Sequence, residues 1–285
     1  MLTCIEPIDY LLIGHLTQDV VPGGFTLGGT ASYASRTAKA LGARVGIVTS
    51  TAADLKVPEL EGITVYNHPS EFTTTYENTQ TPQGRIQHIH HQAREITENM
   101  IPATWRDTPI VHLGPIANEV NPRLASAFPN SFVGVTPQGW MRGWDGDHRV
   151  HYKDWLEAPY VLPHTSAVVL SIEDVERDES RIEAMLPYSR VLVVTEGAAG
   201  ARVYWNGDVR TLRPPQVEEV EPTGAGDIFS AAFFMRYHST NDPWEAARFA
   251  NHVAARSVTR KGMDSTPTEE EMMDFLVEIT TRIEP

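Results

Sequence analysis

The sequence predicts an α/β fold with a mostly parallel central sheet that is covered by helices on both faces. Short apolar runs rich in β-branched residues alternate with helical stretches along the 285-residue chain. Runs that are apolar at consecutive positions are typical of strands buried on both faces. A glycine-rich turn that opens a late helix and a pair of polar extended segments add to this pattern. Together they predict a ligand site at the sheet edge and a small β lid above it.

The individual elements follow from periodicity and from their stop signals. In the first part we predict a strand at Tyr10–Leu16, a helix at Thr30–Leu41 that Gly42 ends, and a strand at Arg44–Ser50. Further buried strands are predicted at Ile110–Leu113, Phe132–Val135, Ala167–Leu170 and Val191–Thr195. The last part predicts a hairpin at Ala201–Leu212 that turns on Asn206-Gly207, then helices at Ile228–Tyr237, Asp242–Thr259 and Pro267–Arg282.

Two polar extended segments, Thr73–Thr79 and Arg85–Gln92, interrupt the buried pattern. They are joined by the turn Thr81-Pro82-Gln83-Gly84, and threonines and histidines alternate along them. Such a flap suits a lid over a site. His88 and His90 would share one strand face, but carboxylates at matching spacing are missing, which favours a polar lid surface over a metal site.

Composition narrows the class of protein. Hydrophobic residues make up 41% of the chain, so a sizeable core is expected. A single cysteine, Cys4, excludes a disulfide framework and a cysteine-based zinc site. The formal net charge of −14 disfavours nucleic acid and anionic membranes as partners. The first residues show no basic, long apolar leader, which predicts a cytoplasmic protein.

The most informative motif is the hexapeptide Pro222-Thr223-Gly224-Ala225-Gly226-Asp227, which opens an apolar helix. A bare turn at a helix N-terminus presents free N–H groups and the positive end of the helix dipole, which suits a phosphate. An acid beside a phosphate site makes sense as a base that takes a proton from an attacking hydroxyl. The alternative is an ordinary helix cap with an incidental acid.

Two further glycine motifs are weaker evidence for a ligand site when each is taken alone. Gly28-Gly29 precedes Thr30 at a helix start and either approaches a ligand or forms a simple turn with Thr30 as the N-cap. The run Thr195–Gly200 follows a buried strand and either floors a nucleotide site or forms a tight turn. No GxxxxGK[ST], GxGxxG after the first strand, HExxH or GxSxG sequence occurs.

In their order along essentially the whole chain, these motifs resemble the ribokinase-like (PfkB) carbohydrate kinases. The likeness rests on residues 28–34 leading to Leu41-Gly42, on residues 194–200 and on residues 221–227. It implies a three-layer α/β/α sandwich, one kinase domain over residues 1–285, and a lid formed by roughly residues 17–27 and 64–94. It also implies ATP and Mg²⁺ as cofactors and a sugar or polyol as the substrate.

The resemblance assigns roles by residue. Asp227 would be the general base, and the N–H groups of Gly224, Ala225 and Gly226 would hold the charge that develops. The residues implied to bind substrate are Asp19, Gly28, Gly29, Tyr33, Gln138 and Arg142. Those implied to bind the nucleotide are Thr195, Gly197, Gly200, Thr223 and Asn251. Asp174 would be the carboxylate associated with magnesium.

The chain departs from the family pattern at three positions. Tyr33 stands where an asparagine is common, Ser171 replaces the asparagine of an Asn-x-x-Glu element, and Glu221 replaces an aspartate. The Gly-Gly-x-Ala-Ser-aromatic pattern is similar to the myo-inositol kinase branch. Gln138 and Arg142 fit that branch too, or belong to a surface loop. Trp140 and Trp144 are candidate sugar-stacking faces, or core residues.

Three functions therefore stay open at the level of sequence: a polyol or sugar kinase, a nucleoside kinase that uses Tyr33 to stack a base, and a ligand sensor that keeps the fold without activity. A monomer and a homodimer through the lid also both remain open. The lid itself is expected to be short, since Asp19 to Gly28 leaves little room for additional strands.

Overall fold

The computed structural model describes residues 5–81 and 84–273. Its strands are β1 (Tyr10–Ile13), β2 (Thr17–Val21), β3 (Gly24–Gly28), β4 (Val45–Thr49), β5 (Thr64–Asn67), β6 (Thr74–Thr81), β7 (Gly84–His91), β8 (Ile110–Leu113), β9 (Phe132–Val135), β10 (Arg142–Trp144), β11 (Val150–Tyr152), β12 (Ala167–Ser171), β13 (Val191–Thr195), β14 (Ala201–Trp205) and β15 (Asp208–Leu212). Its α-helices are α1 (Thr30–Ala40), α2 (Ala158–Val161), α3 (Glu179–Met185), α4 (Ala225–Thr240) and α5 (Pro243–Ser257).

A nine-stranded sheet forms the middle layer, in the order β15-β14-β13-β12-β9-β8-β1-β4-β5. Strands β13 to β5 run parallel, and the hairpin β14–β15 adds the antiparallel edge. The strands predicted at residues 110–113, 132–135 and 191–195 form with those bounds. The predicted α/β class is confirmed.

Side chains alternate between two cores, one on each face of this sheet. Leu11, Ile13, Val111 and Leu113 pack on one face with residues of α2 and α3. The opposite face packs against α1, α4 and α5 through small residues and a cluster of phenylalanines. The result is three layers, with α4 lying across the middle of the sheet.

A second, four-stranded sheet stands apart from the large one, in the order β3-β2-β6-β7. The expectation that residues 19–28 leave little room for strands is wrong. A tight turn with Gly23 in the left-handed region (φ 89°) lets β2 and β3 pair within that short stretch. Parallel pairing of β2 with β6 then joins this hairpin to the predicted two-stranded flap, which makes a sheet of four strands. We call these four strands the small sheet.

Parts of two predictions fall outside the described residues. Pro82 and Gln83 of the predicted turn, and residues 274–282 of the predicted last helix, are not described. Within the described ranges, no helix combines the length and the apolar character needed to cross a bilayer.

Candidate active site

A cleft of about 2240 Å³ lies between the carboxyl edge of the large sheet and the small sheet. Strand order reverses between β1 and β8, and this is where open α/β sheets bind ligands. The backbones of Gly14 and Gly114 meet at that point, because neither carries a side chain. The volume exceeds what one small ligand fills, so the cleft has room for two.

Asp227 lines this cleft and lies in the first turn of α4. The N-cap Gly224 is left-handed (φ 80°), and a Cβ there would overlap the ring of Tyr33. Glycine is thus required at this position by both the backbone and the packing. The turn places the Asp227 carboxylate on the same side as the bare helix end.

The hydroxyl of Thr30 donates to Oδ1 of Asp227 at 2.7 Å. The alternative in which Thr30 is the N-cap is wrong: Gly29 takes that position without a side-chain bond, and Thr30 reaches α4 instead. Thr30 is a functional candidate that sequence reasoning missed. Its only signal was its place directly after the glycine pair.

Burial raises the pKa of Asp227 from an ordinary 3.8 to about 6. The hydrogen bond from Thr30 opposes this effect, the negative charge of Asp174 adds to it, and the positive charge of Arg142 again lowers the pKa. A carboxylate with this pKa is still ionised at neutral pH and is more basic than an exposed one. It can accept a proton from an alcohol in a transfer reaction.

The backbone donors at the start of α4 differ from the predicted set. The N–H of Ala225 donates to the carbonyl of Pro222 at 3.2 Å, which removes it from the predicted donors. The N–H groups of Gly224, Gly226 and Asp227 have no hydrogen-bond partner among the described residues. Three donors at a helix N-terminus therefore remain for an anion.

Most of the substrate residues implied by the resemblance line the cleft. Asp19, Gly29, Tyr33, Gln138 and Arg142 do so. Gly28 does not: it is buried beneath Asp19, whose carboxylate occupies the place where a Cβ would be. Its glycine is explained by this close packing rather than by contact with a ligand.

Two of these residues are already engaged with the protein. The ring of Tyr33 is buried against Gly224, so it supports the turn instead of offering a face for a base. Arg142 donates to the carbonyl of Ile116 at 3.1 Å and lies 5.6 Å from the ring centre of Tyr76. These contacts fix where its positive charge enters the cleft.

Neither tryptophan proposed as a sugar-stacking face lines the cleft. Trp140 is buried, stacks on Trp155 with centroids 5.3 Å apart, and donates to the carbonyl of Val120. Trp144 packs beside the small core under β6 and β7. The core interpretation therefore holds for Trp140.

The residues implied for the nucleotide also line the cleft: Thr195, Gly197, Gly200, Thr223 and Asn251. Gly197 (φ 58°) and Gly200 (φ 101°) form a left-handed turn after β13. Asn251 is buried, and its amide nitrogen donates to the carbonyl of Leu212 at 2.7 Å. Its amide thus holds the end of β15 in place.

Asp174, implied to be associated with magnesium, lines the same cleft. Its carboxylate accepts from the amide of Gln138 at 2.8 Å and from the backbone N–H of Ser171 at 2.8 Å. No group of three His, Cys, Asp or Glu that could hold a metal ion exists in the part of the chain that is described. One carboxylate suits a magnesium ion that arrives with phosphate ligands, and it does not form a protein-built cage.

Two histidines of the small sheet contact neighbouring side chains. Nε2 of His90 lies 2.8 Å from Glu77, and His91 stacks on Phe72. The His90 ring thus has a partner on β6, and the His91 ring has one in the segment that precedes β6.

Comparisons with known proteins point to one family. Residues 164–270 match the description pfkB family carbohydrate kinase. The chain is 25% identical to an inositol 3-kinase of Zea mays over 90% of its own length and 73% of that protein. It is 26% identical to a cytidine kinase of Thermococcus kodakarensis, over 90% and 98% of the two chains.

Solved structures share the fold at lower identity. A pyrophosphate-dependent kinase of the ribokinase family, complexed with a pyrophosphate analog and myo-inositol, superposes with a TM-score of 0.77 at 21% identity and covers 93% of this chain and 99% of its own. A ribokinase of Thermotoga maritima gives 0.72 at 20% identity, over 94% and 99%. The chain therefore has the ribokinase fold, and its residues 164–270 match the PfkB family of carbohydrate kinases.

Proposed function

We propose that this protein transfers the terminal phosphoryl group of ATP to a hydroxyl of a neutral polyol or sugar, with myo-inositol first among the substrates. The observation that carries the proposal is the half-buried Asp227, which accepts from Thr30 beside the open N–H groups of α4. A base and an anion site adjoin there, as phosphoryl transfer to an alcohol requires.

In this mechanism the acceptor lies between Asp227 and the small sheet, where Asp19 lines the cleft. Asp227 takes the proton of the attacking hydroxyl. The oxygen of that hydroxyl bonds to the terminal phosphorus of ATP, and the bond between this phosphorus and ADP breaks. The N–H groups of Gly224 and Gly226 stabilise the charge on the transferred group. Magnesium neutralises phosphate charge when bound, and Asp174 would hold it on the protein side.

The small sheet serves as the lid in this proposal, and residues 1–285 act as one kinase domain. The lid strands β2 and β6 begin side by side, at residues 17 and 74, where the chain passes from the large sheet to the small sheet. Closure of this sheet over the acceptor would exclude water, so that phosphate goes to the alcohol instead of being hydrolysed.

Product formation over a panel of acceptors and donors tests the proposal. Myo-inositol, ribose, fructose and cytidine would each be incubated with Mg·ATP or with magnesium pyrophosphate, and phosphate monoesters would be detected by ³¹P NMR. We expect a monoester with ATP and a polyol or sugar. An identically purified Asp227→Asn protein controls for contaminating kinases. No monoester with any pair would overturn the proposal.

A nucleoside kinase is the second candidate, because the archaeal cytidine kinase relative is matched over almost its whole length. The ring of Tyr33 packs against Gly224, which counts against the stacking of a base on that residue. A higher kcat/KM for cytidine than for every polyol and sugar would favour this candidate. Tight binding of a polyol in calorimetry with no monoester formed would favour a ligand sensor.

A further inference from the structure

Three buried polar side chains form a chain of hydrogen bonds that ends at the wall of the cleft. The hydroxyl of Tyr10, on β1, lies 2.7 Å from Nδ1 of His112, on β8. Nε2 of His112 lies 2.9 Å from Oγ1 of Thr136, which follows β9. Tyr10 and His112 are fully buried, and Thr136 lines the cleft. The phosphoryl transfer described above uses none of them, so this buried polar chain calls for a separate explanation.

The partners of Tyr10 determine the direction of these hydrogen bonds. Among the described residues, its hydroxyl has His112 Nδ1 as its only hydrogen-bond partner. If Tyr10 accepted a proton from Nδ1, its own O–H would be buried without an acceptor, which is strongly unfavourable. Tyr10 therefore donates, Nε2 of His112 carries the ring proton, and Nε2 donates to Thr136. The hydroxyl proton of Thr136 is then left to point into the cleft.

The imidazole of His112 is held neutral and in a fixed orientation. Burial lowers the pKa of His112 to about 3, so the ring is uncharged throughout the neutral range. Phe234 of α4 packs edge-on against it, with centroids 5.0 Å apart. Gly134 leaves the space that the Phe234 ring fills. The helix that carries Asp227 thus also fixes the ring that orients Thr136.

Thr136 borders the same space as the partner of Asp227. A Cβ on Gly114 would come within 2.8 Å of Cγ2 of Thr30 and 3.6 Å of Oγ1 of Thr136. Thr30 in turn donates to Asp227. Thr136 therefore lies on the same part of the cleft wall as the residue that donates to Asp227.

We propose that Thr136 is a specificity-determining residue that donates a hydrogen bond to a second oxygen of the acceptor polyol or sugar. His112 and Tyr10 are positioning residues that make Thr136 a donor. This inference rests on the proposed function, since it concerns the acceptor of that reaction. It assigns a polar contact to the side of the cleft formed by the large sheet, opposite Asp19 of the small sheet.

Kinetics of three variants test the role of Thr136. In Thr136→Val we expect the KM of the acceptor to rise about 5–15-fold, with the KM of ATP unchanged within about twofold. Thr136→Ser keeps the hydroxyl and should stay near the parent protein. Thr165→Val is the matched control, because this buried threonine donates to the carbonyl of Leu162 and does not line the cleft. An unchanged acceptor KM in Thr136→Val would overturn the proposal.

A double-mutant cycle separates the positioning role of Tyr10 from a purely structural one. Tyr10→Phe removes the donor to His112 and should raise the acceptor KM in the parent protein. In the Thr136→Val background it should leave that KM unchanged, because the donor that it orients is already missing. Equal effects in both backgrounds would show that Tyr10 acts by another route, and would refute the relay.

The tautomer of His112 can be measured without any substrate. ¹⁵N-histidine NMR of the parent protein should show a proton on Nε2 and none on Nδ1, and the opposite tautomer would refute the relay. A substrate panel without product would count against the proposed function alone, since this measurement does not depend on turnover.

Discussion

At the residue scale, Asp227 combines two demands that oppose each other. A base is strengthened by burial and by the nearby negative charge of Asp174, and both also destabilise the ionised carboxylate that the reaction needs. The Thr30 hydroxyl and the charge of Arg142 offset part of this effect. The balance leaves a pKa of about 6, high enough for a good base and low enough for ionisation at neutral pH.

We expect activity to fall in acid as Asp227 becomes protonated. Its pKa of about 6 predicts that kcat/KM for the acceptor drops towards tenfold per pH unit below that value, and levels off above it. Asp227→Asn, which has no base, should lose about 10²-fold to 10⁴-fold in kcat and show no such acid limb. A parent profile that stays flat down to pH 4.5 would exclude Asp227 as the base.

The same pKa predicts that Asp227 lowers stability at neutral pH. Its folded-state pKa of about 6 lies above the ordinary 3.8, so the folded chain binds this proton more tightly than the unfolded chain does. The stabilisation from that proton is present below pH 3.8 and is lost as the pH rises through 6. Asp227→Asn keeps an acceptor for Thr30. At pH 7.5 we expect its free energy of unfolding to be about 1–3 kcal/mol higher than that of the parent protein.

Thermal denaturation of both proteins checks this expectation. The gap in Tm should be largest at pH 7.5 and narrow at pH 5. A gap that is absent, or that widens in acid, would contradict it.

At the scale of elements, the start of α4 joins two glycines with different roles. Gly224 is left-handed and packs on Tyr33, whereas a Cβ on Gly226 would meet open space. The first glycine is required by the fold of the turn. The second leaves the helix end open for a ligand.

Alanine at these two glycines should therefore give opposite results. Gly224→Ala forces a left-handed alanine into the ring of Tyr33, and we expect a loss of at least about 1–2 kcal/mol in the free energy of unfolding. Gly226→Ala should keep or slightly raise stability, since alanine favours a helix. It should weaken the binding of ATP, because the added methyl group would crowd the phosphate. Denaturant titration and the KM of ATP distinguish the pair. Equal stability of the two variants would refute this assignment.

At the scale of the whole molecule, one buried cluster holds the two sheets together. His15 follows β1, and its ring nitrogens contact Thr74 at the start of β6 (2.7 Å) and the carbonyl of Arg94 beyond β7 (2.9 Å). Glu119 accepts from the backbone N–H groups of His15, Ile116 and Ala117. Three of the four chain crossings between the sheets, at residues 15, 74 and 94, thus share one hydrogen-bond network.

Glu119→Gln should weaken this network. An amide presents one oxygen and an NH₂ group to three N–H donors, so we expect a loss of about 1–3 kcal/mol in the free energy of unfolding. Glu95→Gln is the matched control, because Glu95 is exposed and accepts from a side-chain amide, Asn121 Nδ2. A Tm of Glu119→Gln equal to that of the control would show that the cluster does not stabilise the junction.

The elements that local patterns define were predictable from the sequence. Buried strands such as Ile110–Leu113 are apolar at every position, and Asn206-Gly207 specifies its hairpin without help from elsewhere. The helix predicted at Ile228–Tyr237 extends from Ala225 to Thr240, since helix ends depend on caps and packing rather than on periodicity. Strands β2 and β3 were missed because each is short and mixes polar with apolar residues, and because the turn between them is tight.

By itself, the sequence determined the fold class, the run of strands and helices, and the hexapeptide that places an acid at a bare helix end, because each of these depends on neighbouring residues. Only the tertiary structure decided which distant side chains meet. Thr30 and Asp227 are 197 positions apart, Tyr10 and His112 come from two neighbouring strands, and Thr136 directly follows a third. These contacts exist because the order of the parallel strands places β1, β8 and β9 side by side and brings their carboxyl ends to one edge, and no local pattern encodes that order.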